Sequence, residues 1–288
     1  MEEEKKKWVK LEPTDVEFPK KLLEYKDAPT VLYAAGNLEL LKNPMIAIVG
    51  SRNPNEYGIE QTKRFASYLS QKGLTIISGL ADGIDGVAHR YSMKNEGKTI
   101  AVIASGFKHI YPSDHKELFK EIIENGGLIL SEYPPDEGVV MARFPKRNRI
   151  ISRLAMGTLV TMAARRSGST LTAHITLGDG GALFCIPGNV TDVLSGGANE
   201  LIGEGGYLVT SPRDIIEYLE IDEKMLSKDK VEPEFKDVYD LISVDNTIGS
   251  NEICHILKKN VQDVNEILLM LEADGFIKEK GLGKYVLT

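Results

Sequence analysis

Cysteine is nearly absent from this 288-residue chain: Cys185 and Cys254 are its only two, far apart and without metal-knuckle spacing. That excludes a disulfide scaffold and a structural zinc site, and a reduced, cytoplasmic setting is expected. No apolar run approaches the roughly 18 residues of a membrane span. The first ten residues are rich in Glu and Lys and lack the apolar stretch of a secretion signal. Neither G-x-x-x-x-G-K-[ST] nor G-x-G-x-x-G occurs, which counts against nucleotide hydrolysis and tight dinucleotide binding. No internal repeat is visible.

The most informative absence is local. The chain is acidic, net −7, yet no carboxylate lies between Glu137 and Asp179. That gap holds seven cations: Arg143, Lys146, Arg147, Arg149, Arg153, Arg165 and Arg166. A concentrated cationic block in an acidic protein points to an anionic partner bound in one place. Its arginine-heavy make-up favours phosphate, because the planar guanidinium forks onto two oxygens. The plain alternative is a solvated helix face.

Around this block the chain alternates short apolar runs with amphipathic stretches. Strands are expected at 45–49, 75–77, 99–103, 128–130, 158–162, 182–186 and 207–209. Helices are expected through 59–69 and at 84–95, 114–125, 146–155, 169–177, 199–203 and 212–219, with Asp114 capping the third. Fully apolar strands alternating with helices predict an α/β fold, a doubly wound parallel sheet covered on both faces. Residues 1–42 read as a lead-in broken by Pro13, Pro19 and Pro29, with a short strand and turn at 31–37. The sheet domain is expected over 43–219 and a polar linker over 220–234. Over 235–288 three short helices and a hairpin across Gly281-Leu282-Gly283 suggest a small winged helix.

Ligands of such sheets bind beyond the carboxyl ends of the strands. Gly50-Ser51-Arg52 falls at such an end: glycine admits an anion to the backbone, Ser51 can donate and Arg52 can fork onto phosphate. Ser78-Gly79 and Ser167-Gly168-Ser169 are two more glycine turns of this kind. Phe144, beside the cations, is either a platform for a nucleobase or a core anchor of its loop. Asp82, Asp85 and His89 could suggest acid–base chemistry or a metal. They read better as structural, with Asp82 or Asp85 capping a helix and His89 paired to Asp85, since no third ligand stands nearby.

Several of these stretches together resemble the DNA-processing protein A (DprA, or Smf) family of bacteria. The resemblance runs through Ile48-Val49-Gly50-Ser51-Arg52, Tyr57-Gly58, Ser78 to Asp85 with Ala88-His89, Tyr111-Pro112 and Ser131-Glu132-Tyr133-Pro134-Pro135. It continues through Phe144-Pro145-Lys146-Arg147-Asn148-Arg149-Ile150-Ile151, Ser167-Gly168-Ser169, Thr172-Ala173, Pro187-Gly188, and Gly197 with Asn199, Leu201 and Ile202. It covers roughly residues 30–220. It implies a Rossmann-like fold, a homodimer, and a pocket for single-stranded DNA served by Arg52, Lys146, Arg147 and Arg149, with RecA recombinase as protein partner. Ser51, Gly79, Phe144, Asn148 and Ser167 to Ser169 complete the expected site. The chain departs from the family pattern at Met162, Lys108, Arg153 and Gly181, which usually read Glu, Asp, Gly and Arg. The expected function is a non-catalytic, cofactor-free mediator that binds single-stranded DNA; a nucleotide-cleaving or nucleotide-sensing enzyme and a purely structural partner are the alternatives.

Overall fold

Six aliphatic residues, Met45–Gly50, form the central strand of the larger unit, and their alternation shows why both faces of its sheet are covered. Met45, Ala47 and Val49 enter one core, while Ile46 and Ile48 enter the other. A strand buried on both sides has no polar face to show, so its sequence reads as one apolar run. The computed structural model describes residues 8–94, 97–221, 235–242, 247–273, 276–281 and 283–287. Two units are distinguished, Met1–Leu226 and Ser227–Thr288.

The strands of the larger unit are β1 (Val9–Leu11), β2 (Leu32–Gly36), β3 (Met45–Gly50), β4 (Thr75–Ser78), β5 (Thr99–Ile103), β6 (Leu128–Ser131), β7 (Gly157–Met162), β8 (Ala182–Cys185) and β9 (Tyr207–Leu208). They lie in the order β1-β2-β6-β5-β4-β3-β7-β8-β9. From β6 to β9 all neighbours are parallel; β2 pairs antiparallel with β6, and β1 with β2. The helices are α1 (Glu56–Gln71), α2 (Ile84–Ser92), α3 (Lys116–Glu124), α4 (Arg143–Leu154), α5 (Gly168–Gly178), α6 (Gly196–Gly203) and α7 (Pro212–Tyr218). One core gathers side chains of α4, α5 and α6. Across the sheet, α1, α2 and α7 supply a second core and α3 a third.

The expected α/β fold and parallel sheet are found. Four local expectations need correction. Segment 1–42 does more than lead in, because β1 and β2 extend the sheet and Leu11, Phe18, Leu22 and Leu32 are core residues. Asp114 does not cap α3; it lies inside a 3-10 turn, Ser113–His115, and its carboxylate accepts from the Ser113 hydroxyl. Neither Asp82 nor Asp85 caps α2, whose cap position is Gly83 at φ 73°. His89 does not pair with Asp85, for reasons given below.

In the second unit, α8 (Lys236–Tyr239), α9 (Ser250–Leu257) and α10 (Val261–Ala273) enclose Val238, Ile253, Val264 and Leu268. The expected hairpin is β11 (Ile277–Gly281) with β12 (Lys284–Leu287), and a two-residue strand β10 (Ile248–Gly249) adds to it. Most of the expected linker, 222–234, and the hairpin's Leu282 lie outside the described residues.

Candidate nucleic-acid interface

Strand order reverses between β3 and β7, and the turns that leave these two strands are tied together. The Ser51 N–H donates to the Met162 carbonyl at 2.8 Å. The Ser51 carbonyl accepts from the Ile84 N–H at 3.1 Å, and its hydroxyl accepts from the Asn53 N–H at 3.1 Å. Ser51 is thus engaged in shaping the turn, and Arg52 is turned outward and exposed. Gly83 lies beneath it: a Cβ there would stand 2.4 Å from the Ser51 carbonyl and 2.5 Å from that of Arg52, so only glycine fits.

Beside Arg52 lies Phe144, from the first turn of α4. Its ring is half-buried, meets Tyr111 edge-on at 5.5 Å, and has the Arg52 guanidinium carbon 5.8 Å from its centroid. Tyr111 is 42% exposed. Phe144 is therefore in contact with a neighbour and still accessible, an arrangement compatible with either reading of the sequence. Tyr111, following β5, lies outside the cationic block and is brought to Phe144 by the fold.

The cationic block is less free than its sequence implies. Arg143 pairs with Glu137 at 2.8 Å, with its guanidinium over the Tyr133 ring. Arg149 pairs with Glu132 at 2.5 Å and with Asp27. Arg153 pairs with Asp27 at 2.6 Å and Asp179 at 2.7 Å, and Arg165 with Glu200. Among the described residues no carboxylate pairs with Arg52, Lys146 or Arg166, and all three are exposed. Arg166 has a left-handed φ of 55° and precedes the capping residue of α5. It is one of the seven block cations but not among the expected site residues. Two departures from the family pattern add cations, and both are paired: Arg153 as above, and Lys108 with Asp136 at 2.6 Å. Met162 is buried and would meet a Cβ on Gly58 at 2.7 Å.

Arg147 lies underneath the surface, 4% exposed. Its Nη1 donates to the carbonyls of Gly79, at 2.5 Å, and of Val102. Its Nε donates to the Asn148 side-chain oxygen at 3.3 Å, and the Asn148 amide donates to the Gly168 carbonyl at 3.3 Å. Gly79 is buried in turn, because a Cβ there would lie 2.6 Å from both terminal guanidinium nitrogens. Asp85, opposite, accepts from the N–H groups of Gly79 and Ala81. Its carboxylate serves this turn, which is why His89 is left for another task. His89 Nε2 accepts from the Leu80 N–H, and its Nδ1–H reaches the Thr99 hydroxyl at 2.7 Å. Burial holds His89 down to about 3, with His115, Arg147 and Arg90 adding to the effect, so the ring is neutral as this geometry requires. Burial brings Arg147 down to about 10, opposed by Asp85 and reinforced by Arg52; it stays charged at neutral pH. Burial raises Asp85, against the pull of Arg147 and the backbone donors.

At α5 the Ser167 hydroxyl caps the helix by accepting from the Thr170 N–H and lies 2.8 Å from the Ser169 hydroxyl. Gly168 is exposed, with no atom within 4 Å of its would-be Cβ. Beyond β8, a groove of about 690 Å³ is lined by Asn55, Tyr57, Pro187, Gly188, Asn189, Asp192 and Ser195. Asp192 makes it a poor seat for phosphate. The expected residues therefore divide into an outward set, Arg52, Phe144, Lys146 and Gly168, and an inward set, Gly79, Arg147 and Asn148. Arg149 is turned toward Glu132 and Asp27.

Residues 10–220 match a family model described as DNA recombination-mediator protein A. Protein Smf of Escherichia coli is 43% identical over 209 residues, which span 72% of this chain and 56% of that protein. The DNA processing protein DprA of Streptococcus pneumoniae is 44% identical over 199 residues, 69% of this chain and 70% of that one. The X-ray structure of the Streptococcus pneumoniae protein superposes with a TM-score of 0.69 at 41% identity, covering 74% of each chain. DNA processing protein A from Helicobacter pylori, whose structure is described for its single-stranded DNA binding mode, superposes with a TM-score of 0.67 at 31% identity, covering 74% of this chain and 95% of that one.

Proposed function

Because the chain belongs to the DNA recombination-mediator protein A family, we propose that it binds single-stranded DNA beyond the carboxyl ends of β3 and β7 and loads a RecA recombinase onto the bound strand. The observation that carries this reading is the pairing of Arg52 with Phe144, a phosphate ligand and an aromatic face 5.8 Å apart and both accessible. An unpaired strand offers a phosphate and a free base face at such spacing, whereas a duplex keeps its base faces stacked inside. Arg166, Lys146 and the open backbone at Gly168 extend the same surface. The Helicobacter pylori relative is described for single-stranded DNA binding.

The reading is non-catalytic, cofactor-free and cytoplasmic. Asp85 and His89, the pair most suggestive of acid–base chemistry, are buried and bound to backbone groups. A homodimer is part of the proposal. Strand β9 is a sheet edge with Tyr207 and Leu208 exposed and the Tyr218 ring centroid 4.0 Å from that of Tyr207 at a tilt of 47°, an edge that a second copy can extend across a two-fold axis. The second unit is read as a winged helix for protein contact.

The test is fluorescence anisotropy of labelled oligo-dT and of a duplex of equal length at two salt concentrations. Tighter, salt-dependent binding of the single strand is expected. Equal affinity for duplex, or affinity indifferent to salt, refutes the proposal. A panel of nucleotides followed for turnover separates it from the enzyme alternative.

A further inference from the structure

The backbone turn that follows β4 is held by side chains from three directions. The Gly79 N–H and carbonyl go to Asp85 and Arg147; the Leu80 N–H and carbonyl go to His89 and His115; the Ala81 N–H goes to Asp85. All four of these side chains are buried. Leu80, wholly buried, sits at φ 57°, a conformation that a non-glycine residue holds only when its surroundings impose it. Three residues on, the same turn becomes the shelf beneath Arg52: Gly83 presses on the Ser51 and Arg52 carbonyls, and the Ile84 N–H binds the Ser51 carbonyl.

Arg147 is the member of this set that comes from α4, three residues after Phe144 and next to Lys146. One guanidinium therefore fixes the helix that carries Phe144 and Lys146 to the turn that supports Arg52. From this geometry we infer that Arg147 is a positioning residue: it sets the spacing between the Arg52 guanidinium and the Phe144 ring and makes no contact with DNA. Burial under Gly79 and two carbonyl bonds leave it no reach to a phosphate. A buried cation without a partner is strongly destabilising, and Asp85 supplies the countercharge. The inference rests on the reading of the surface above as a single-strand site. The brace itself can be examined without DNA.

Arg147→Lys keeps the charge opposite Asp85 and removes the rigid fork. In the free protein, the amide resonances of Arg52 and Asn53 are expected to shift, although neither residue touches Arg147 through a hydrogen bond. Wild-type shifts at both positions overturn the brace. With oligo-dT, the variant is expected to bind about tenfold more weakly, roughly 1.4 kcal/mol, at full stoichiometry and with the wild-type salt slope. In Arg147→Met combined with Asp85→Asn, which removes both buried charges, a slope flatter by about 0.7 means that Arg147 itself neutralises a phosphate and overturns the inference. A reduced active fraction with unchanged affinity also overturns it, since that is the mark of a purely structural residue. Should Arg147→Lys fail to fold, Gly79→Ala places a methyl 2.6 Å from the guanidinium nitrogens and displaces the same group with both charges retained; the same outcomes apply. If the wild-type protein does not bind oligo-dT, the functional reading falls and the amide shifts alone decide the brace.

Discussion

Arg52→Ala is expected to flatten the salt dependence of single-strand binding by a definite amount. Only Arg52, Lys146 and Arg166 are exposed without a carboxylate partner among the described cations of this surface. Three phosphates neutralised on a single strand give a log–log slope of about −2, at about 0.7 per contact. Had all seven block cations and Arg52 met phosphates, the slope would be about −5.6. Removing Arg52 should bring it to about −1.4, and the lost counterion release should weaken binding about fivefold at 0.1 M salt and about fifteenfold at 0.02 M. Anisotropy with a dT oligonucleotide long enough for one site reads both quantities. Arg153→Ala is the control: its guanidinium already serves Asp27 and Asp179, so the slope should not move. A wild-type slope near −5, or a flatter slope in the Arg153 variant, would show that the ion pairs open on binding and refute the reasoning.

Phe144→Ala should lose about 1–3 kcal/mol of oligo-dT affinity if a base stacks on the ring; early melting with unchanged binding would leave it only the role of partner to Tyr111. For His89, the folded value of about 3 lies below the ordinary 6.5. The unfolded chain then binds more protons between the two, so this stability is complete above about 6.5 and is lost as pH falls toward 3, by up to about 1.4 kcal/mol per unit. Urea unfolding across that range should show a shallower acid limb in His89→Gln than in wild type, and parallel limbs contradict the assignment. Deleting 227–288 should leave oligo-dT affinity within a few-fold, because α10 carries Asp263, Glu266 and Glu272 and no cation. A hundredfold loss in a folded truncation would place DNA on the tail.

Much of the fold was legible because its strands are short apolar runs between clear turn residues. Thr99–Ile103 and Val261–Ala273 end where the sequence places them. The strand expected at 31–37 is found as β2, but β1 and the pairing of β2 with β6 were hidden, since three prolines punctuate segment 1–42 and β6 is distant in the chain. At the site, residue types were readable and their partners were not. Asp27 and Asp179 lie far along the chain from the arginines they neutralise, and no local pattern announces such pairs. The spacing of Asp85 and His89 suggested a mutual bond, but unsatisfied N–H groups of a buried turn took the carboxylate first. Arg147 reads the same as Lys146 in sequence; burial separates them.

The placement of β7 beside β3 bears on how the chain comes off the ribosome. As synthesis proceeds from the N-terminus, β3 can pair with β4 as soon as a helix and a strand have followed it. Its other side stays bare until Gly157–Met162 has been made, and that side is six apolar residues long. A nascent chain halted between these points exposes an adhesive strand edge, the kind of surface that chaperones cover. The Ser51–Met162 bond that shapes the Arg52 turn forms only when that edge is closed. Truncated translation products thus carry Arg52 without its mature setting, and the DNA-binding surface proposed above is completed late in the making of the sheet.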